Sequence, residues 1–167
     1  MKKIYTLFIC LFIGYSPISL AQNHSEKIYP FRKTEAQWKI SLTDMQYFVL
    51  REKGTEPAFY SKLEHDFKEG NYYCVACEAL LYKSKYKYKS GTGWPSFDRG
   101  NSNNLEFITD KSHGMVRTEI VCAQCGSHLG HLFSDGPTET GKRHCINSVA
   151  LNFKPIKNEQ QISFSKN

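Results

Sequence analysis

Cysteine carries the most readable chemistry in this chain. Four cysteines form two pairs, Cys74-x-x-Cys77 in YYCVACEALLY and Cys122-x-x-Cys125 in VCAQCGSHLG, with 44 residues between the pairs. Each knuckle offers two thiolates from one tight turn, and two knuckles complete a tetrahedral shell. The spacing therefore predicts a four-cysteine zinc site. An oxidising compartment would also permit two disulfides, but a CxxC disulfide is strained and usually redox-active rather than structural. Gly126, directly after the second pair, suits a turn that aims amides at sulfur. A shell closed by four thiolates has no open position for water or substrate. Such a metal clips distant segments together and adds to folding free energy.

On either reading Cys145 is left over. It stands in GKRHCINSVALNF, with Arg143 and Asn147 two residues to either side. A strand over 143–153 would put Arg143, Cys145 and Asn147 on the face of Val149, Leu151 and Phe153. The apolar end would enter the core and the polar end would reach the rim of a sheet. A guanidinium beside a thiol favours thiolate, the nucleophilic form. Asn147 can hydrogen-bond there without titrating. His128 and His131 follow the second knuckle directly, in SHLGHLF. A single histidine in such a place is most often structural, whereas a pair in a glycine-containing loop beside a metal clip is less easily dismissed. A His-x-x-His metal pair ranks lower, because four cysteines already fill a zinc shell. Trp94 in SGTGWPSF is either a core plug or a pocket wall; the glycine-containing loop around it favours the wall.

The elements that must position these groups are mostly short strands. Thr43 with Gln46 forms a capping box, Gly54 supplies a stop, and Met45, Phe48 and Val49 share a face, which predicts one helix over 44–53. LEFITD and MVRTEIVC read as strands, the second with Val116, Thr118 and Ile120 on one face. Lys83, Lys85, Lys87 and Lys89 alternate with other residues as the wet face of a strand would. Residues 22–33 form a polar, loose lead-in, 34–155 form one domain, and 156–167 form a polar tail.

Apolar residues make up 40% of the 167, enough for one core, which excludes a disordered chain. The net charge of +6 comes from scattered lysines and predicts no nucleic-acid groove. Residues 1–21 have a basic start, an apolar run too short to span a bilayer comfortably, and small residues at Ser19 and Ala21. They read as a signal peptide cut after Ala21. Its removal takes Cys10, Lys2 and Lys3, and leaves five cysteines in an exported, periplasmic or extracellular protein with no membrane attachment.

Taken together, the two knuckles, SGTGWPSF, SHGMVRTE, CGSHLGHLFSDGP and RHCINSVALNF resemble the methionine-R-sulfoxide reductases of the B type, in order and spacing, from Thr34 to Phe153. The resemblance implies a mainly β fold: two antiparallel sheets in a tent-like arrangement, a short N-terminal helical segment, and one structural zinc held by Cys74, Cys77, Cys122 and Cys125. It also implies roles. Cys145 would attack the sulfoxide sulfur of oxidised proteins and become a sulfenic acid. His128, His131 and Asn147 would assist protonation of the oxygen, Arg143 would support the thiolate, and Trp94 would cradle the substrate methyl. Many members carry a resolving cysteine where this chain has Thr92. An external thiol reductant, such as a thioredoxin-like protein, is then expected to recycle a monomeric enzyme. Two rival readings are a non-catalytic zinc-ribbon interaction module and a CxxC thiol–disulfide oxidoreductase.

Overall fold

The computed structural model describes residues 27–156. The signal segment expected over 1–21 and the tail from 157 lie outside the described residues. Among the described residues, no helix is long and apolar enough to cross a membrane.

Two helices open the domain, where the sequence reading expects one over 44–53. Thr34 caps α1 (Glu35–Ser41) and Thr43 caps α2 (Asp44–Leu50). In each, the threonine hydroxyl accepts from the amide three residues on, and that residue's glutamine side chain accepts the threonine amide. The second helix ends at Leu50, short of 53. Lys53 takes a positive φ of 58° and the Gly54 amide donates to the Phe48 carbonyl at 2.9 Å. The expected face is also corrected. Val49 and Leu50 are buried, whereas Phe48 is 43% exposed and its ring lies over Gly54. Residues 27–33 are not loose: the Phe31 amide donates to the Gln124 carbonyl at 2.8 Å, and Lys27 pairs with Glu106.

Among the described residues, nine strands follow. A three-stranded antiparallel sheet has the order β2 (Leu80–Lys83), β1 (Gly70–Cys74), β9 (Leu151–Pro155). A six-stranded antiparallel sheet has the order β3 (Lys87–Tyr88), β4 (Ser96–Phe97), β8 (Arg143–Ile146), β7 (His128–Phe133), β6 (Arg117–Cys122), β5 (Leu105–Asp110). Two antiparallel sheets with short N-terminal helices are the expected fold class. Tyr72 of β1 packs edge-on against Phe97 of β4 at 5.0 Å, and Tyr82 of β2 stacks on the same ring at 4.3 Å. This aromatic cluster joins the sheets in the core. Behind it, the Tyr82 hydroxyl meets His144 Nδ1 at 3.2 Å, and burial pushes that imidazole down to about 4, keeping it neutral.

Three strand expectations change. Val116 is 78% exposed and precedes β6 instead of sharing its buried face. The lysine run is broken by a 3₁₀ turn at Ser84–Tyr86, and Lys87 is buried, with Nζ donating to the Glu64 and Asp66 carbonyls. Most importantly, 143–153 is not one strand. The chain leaves the six-stranded sheet after Ile146, turns through a 3₁₀ segment at Ser148–Ala150, and enters the three-stranded sheet at Leu151. The cause is a buried carboxylate. Glu56 accepts the amides of Ser148 at 2.5 Å and Val149 at 3.0 Å, so these groups never join a ladder.

Candidate active site and metal centre

The four paired cysteines converge although their knuckles come from different sheets. Cys74 ends β1 and Cys122 ends β6. All four sulfurs lie within 4.8 Å of one another. Two close approaches cross between the knuckles, Cys74 to Cys125 at 3.8 Å and Cys77 to Cys122 at 3.5 Å. A tetrahedral metal with bonds of about 2.3 Å to sulfur would hold its ligands about 3.8 Å apart. The arrangement fits a metal ion and does not pair the two cysteines of either CxxC, as a redox disulfide would require. The two knuckles share one backbone solution. Glu78 and Gly126 follow the second cysteine of each, with positive φ of 60° and 71°, and their amides donate to the carbonyls of Cys74 and Cys122, both at 2.8 Å. Gly126 takes this conformation at no steric cost. Glu78 takes it while its carboxylate accepts from Asn152 and Lys154.

Cys145 lies apart from this cluster, half-buried on β8. It lines a 140 Å³ cavity with Thr55, Trp94, Arg117, His131 and Asn147. Strand register explains the company. Ser96, Cys145, His131 and Glu119 are direct partners across β4, β8, β7 and β6, which places them in one row. Two residues along, Arg143 is opposite Phe133, and its guanidinium lies 4.3 Å from that ring. Asp135 holds the guanidinium with two hydrogen bonds, at 2.8 and 3.0 Å. Burial nonetheless pushes the Cys145 thiol up, against the lowering influence of Arg143 and Thr92. Arg143 acts in the expected direction, but desolvation outweighs the cation and the thiol pKa is raised.

Both histidines stand on the Cys145 side of the sheet. Residues three apart on a strand should face opposite ways. A β-bulge prevents this: Gly130 pairs with Ile120 and His128 with Val121, leaving Leu129 as the extra residue. The rings sit 5.3 Å apart at a steep angle. His128 bonds Glu119 through Nδ1 at 2.8 Å, and His131 bonds Asp110 through Nε2 at 2.9 Å. Only His131 borders the Cys145 cavity. His128 borders an adjoining 360 Å³ recess, which His131 also lines. Desolvation lowers the His131 pKa, against the opposing pull of Asp110.

Asn147 and Trp94 are set by one residue that sequence reasoning missed. The Glu56 amide donates to Asn147 Oδ1 at 3.0 Å, and the Glu56 carbonyl accepts from the Trp94 indole at 3.2 Å. Asn147 Nδ2 donates in turn to the Leu129 carbonyl at 3.1 Å. Asn147 is therefore fixed by backbone groups on both sides, and Trp94 is a pocket wall rather than a core plug. No local pattern marks Glu56, because its partners lie 38 to 93 residues away. Asp110 and Glu119 were equally silent. Strand alternation around the histidines, once paired with β5 and β6, is the signal that could have found them.

A SelR domain matches residues 42–155. Curated relatives carrying the name peptide methionine sulfoxide reductase MsrB are similar over most of their length. One from Methanosarcina barkeri is 54% identical over 73% of this chain and 87% of its own. One from Thiobacillus denitrificans is 52% identical over 74% and 94%. One from Leptospira interrogans is 50% identical over 75% and 97%. A thiol-lined cavity and a four-cysteine clip therefore sit within the span, from the second helix to the last strand, that matches the SelR domain, and the chain belongs to the SelR domain family, the B-type methionine sulfoxide reductases.

Proposed function

We propose that this protein reduces methionine-R-sulfoxide in oxidised proteins, with Cys145 as nucleophile. The observation that carries this is the position of Cys145: among the described residues it is the only cysteine outside the metal cluster, and it lines the cavity beside Trp94 and His131. At 140 Å³ the cavity suits the end of one side chain, with the polypeptide left outside. The sulfur of Cys145 attacks the sulfoxide sulfur. The oxygen is a poor leaving group as an oxide, so it takes a proton as the S–O bond breaks. In this reading His131 holds that proton, with Asn147 lining the same cavity and His128 in the adjoining recess. The balance is one thiol plus one sulfoxide giving one sulfenic acid plus one thioether. Trp94 encloses the methyl end, and Arg143 offsets negative charge on sulfur.

Thr92 stands by Cys145 where a second thiol would close a disulfide. Two equivalents of an external thiol, such as a thioredoxin-like dithiol, then return Cys145 sulfenic acid to thiol and release water. The metal at Cys74, Cys77, Cys122 and Cys125 is zinc in this reading, since four thiolates in a tetrahedral cluster suit it. Its role is structural. The protein acts as a monomer after export, and N-terminal sequencing of secreted material starting at Gln22 is the check on export.

The decisive experiment is reduction of a protected methionine sulfoxide, resolved by epimer, with a dithiol reductant. Wild type is expected to turn over the R epimer and Cys145→Ser to fall to background while keeping its metal and its melting temperature. Full activity in the variant, or no R-epimer turnover in wild type, would sink the proposal.

A further inference from the structure

Both site histidines are bonded to carboxylates, and through opposite ring nitrogens. Asp110 reaches His131 from β5 and is itself held by the Ser112 amide at 2.8 Å and by Arg117 Nη2 at 2.7 Å. Glu119 reaches His128 from β6 and is held by Lys53 Nζ at 2.8 Å. Hydrogen bonds from Ser112, His131 and Arg117 hold the Asp110 carboxyl well below its ordinary range. Burial alone would raise Glu119, but the hydrogen bonds from His128 and Lys53 outweigh it and its carboxyl is lowered too. Both groups are therefore carboxylates, which can only accept. The facing ring nitrogen must carry hydrogen in each case.

We infer that Asp110 and Glu119 are positioning residues that lock His131 and His128 into opposite tautomers for the sulfoxide reaction. His131 carries its hydrogen on Nε2 and leaves Nδ1 as the only nitrogen able to serve the Cys145 cavity. His128 carries its hydrogen on Nδ1 and leaves Nε2, which is buried with no protein partner among the described residues. Two independent cations, Arg117 and Lys53, keep each carboxylate in place, so neither imidazole can turn its other nitrogen inward without breaking a charged hydrogen bond. The roles are unequal. His131 borders the cavity, whereas His128 acts from the recess behind it, so Asp110 governs the imidazole closest to the reacting atoms. The inference rests on the reading of Cys145 and His131 given above, and it extends that reading to residues which touch neither substrate nor thiol.

The test begins without catalysis. Nitrogen-15 spectra of the imidazoles in resting wild-type protein are expected to show His131 protonated on Nε2 and His128 on Nδ1. Either ring in the other form, or an even mixture, would overturn the inference while leaving the Cys145 proposal untouched. Asp110→Asn is expected to give a mixed His131 tautomer and a kcat lower by about tenfold or more, with KM changed less than about twofold. Glu119→Gln should disturb His128 in the same way, with a smaller loss of kcat. A folded, metal-loaded Asp110→Asn protein with wild-type kcat, or a loss confined to KM, would overturn it. Failure of wild type to turn over any R-sulfoxide is a separate result and strikes the functional reading instead.

Discussion

The lone thiol of Cys145 and the four clustered cysteines are legible from residue type and spacing alone, because few other side chains can do their chemistry. The state of that thiol is not. Sequence places Arg143 two residues from Cys145 and suggests a lowered pKa, but it cannot report how much water the fold removes, and burial decides the sign. Thr92 is the other residue in this balance, since its side chain pulls the Cys145 pKa down. That influence makes a prediction. A Thr92→Cys chain, given one equivalent of R-sulfoxide and no reductant, should lose two thiols, and peptide mapping should find Cys145 joined to position 92. Wild type under the same conditions should lose one thiol and be trapped by a sulfenic-acid reagent. A Thr92→Cys chain that still accumulates trappable sulfenic acid would show that the loop holds the two positions too far apart for a disulfide.

At the scale of elements, alternation finds strands and misses their interruptions. LEFITD is a strand to its last residue, as its pattern predicts. The reading of 143–153 fails because a glutamate from another part of the chain takes two amides out of the ladder. The first helix is marked by the same threonine–glutamine box as the second, and only a shorter apolar pattern hides it. The bulge at Leu129 is invisible to alternation for a different reason: it is defined by pairing with β6, which no local window contains. Yet the bulge puts both histidines on one face, and Gly130 beside it lets β7 approach β8. A Cβ at Gly130 would overlap the carbonyl oxygen of Cys145. Gly130→Ala should therefore push the strands apart directly beneath the nucleophile. The expected result is a loss of about 2 kcal/mol in denaturant unfolding and a fall in kcat at least as large as that of Asp110→Asn. An unchanged unfolding midpoint with full activity would mean that β8 accommodates the methyl and that this close approach sets nothing in the site.

For the whole molecule, the two-sheet architecture follows from the family resemblance rather than from any periodicity, since the order β3-β4-β8-β7-β6-β5 is fixed by pairings between distant segments. Two features hold the sheets together: the Tyr72, Phe97 and Tyr82 cluster in the core, and the cysteine clip, whose knuckles follow β1 in one sheet and β6 in the other. The strand that carries Cys145 leads directly into this junction. Cys145 lies on β8, and the chain crosses to the other sheet within five residues, at Leu151, which pairs with Cys74 itself. A metal held at the clip would therefore be tied to Cys145 through backbone. Stripping the metal with a chelator under reducing conditions should expose four titratable thiols beyond Cys145 and lower the melting temperature by more than about 10 °C. It should also abolish turnover, and added zinc should restore both. Cys145→Ser, which has no activity to lose, should show the same drop in melting temperature, because the metal acts on the joint between sheets and not on the reaction. Full thermal stability in the stripped protein would mean that aromatic packing alone holds the sheets, and the four cysteines would then need another explanation.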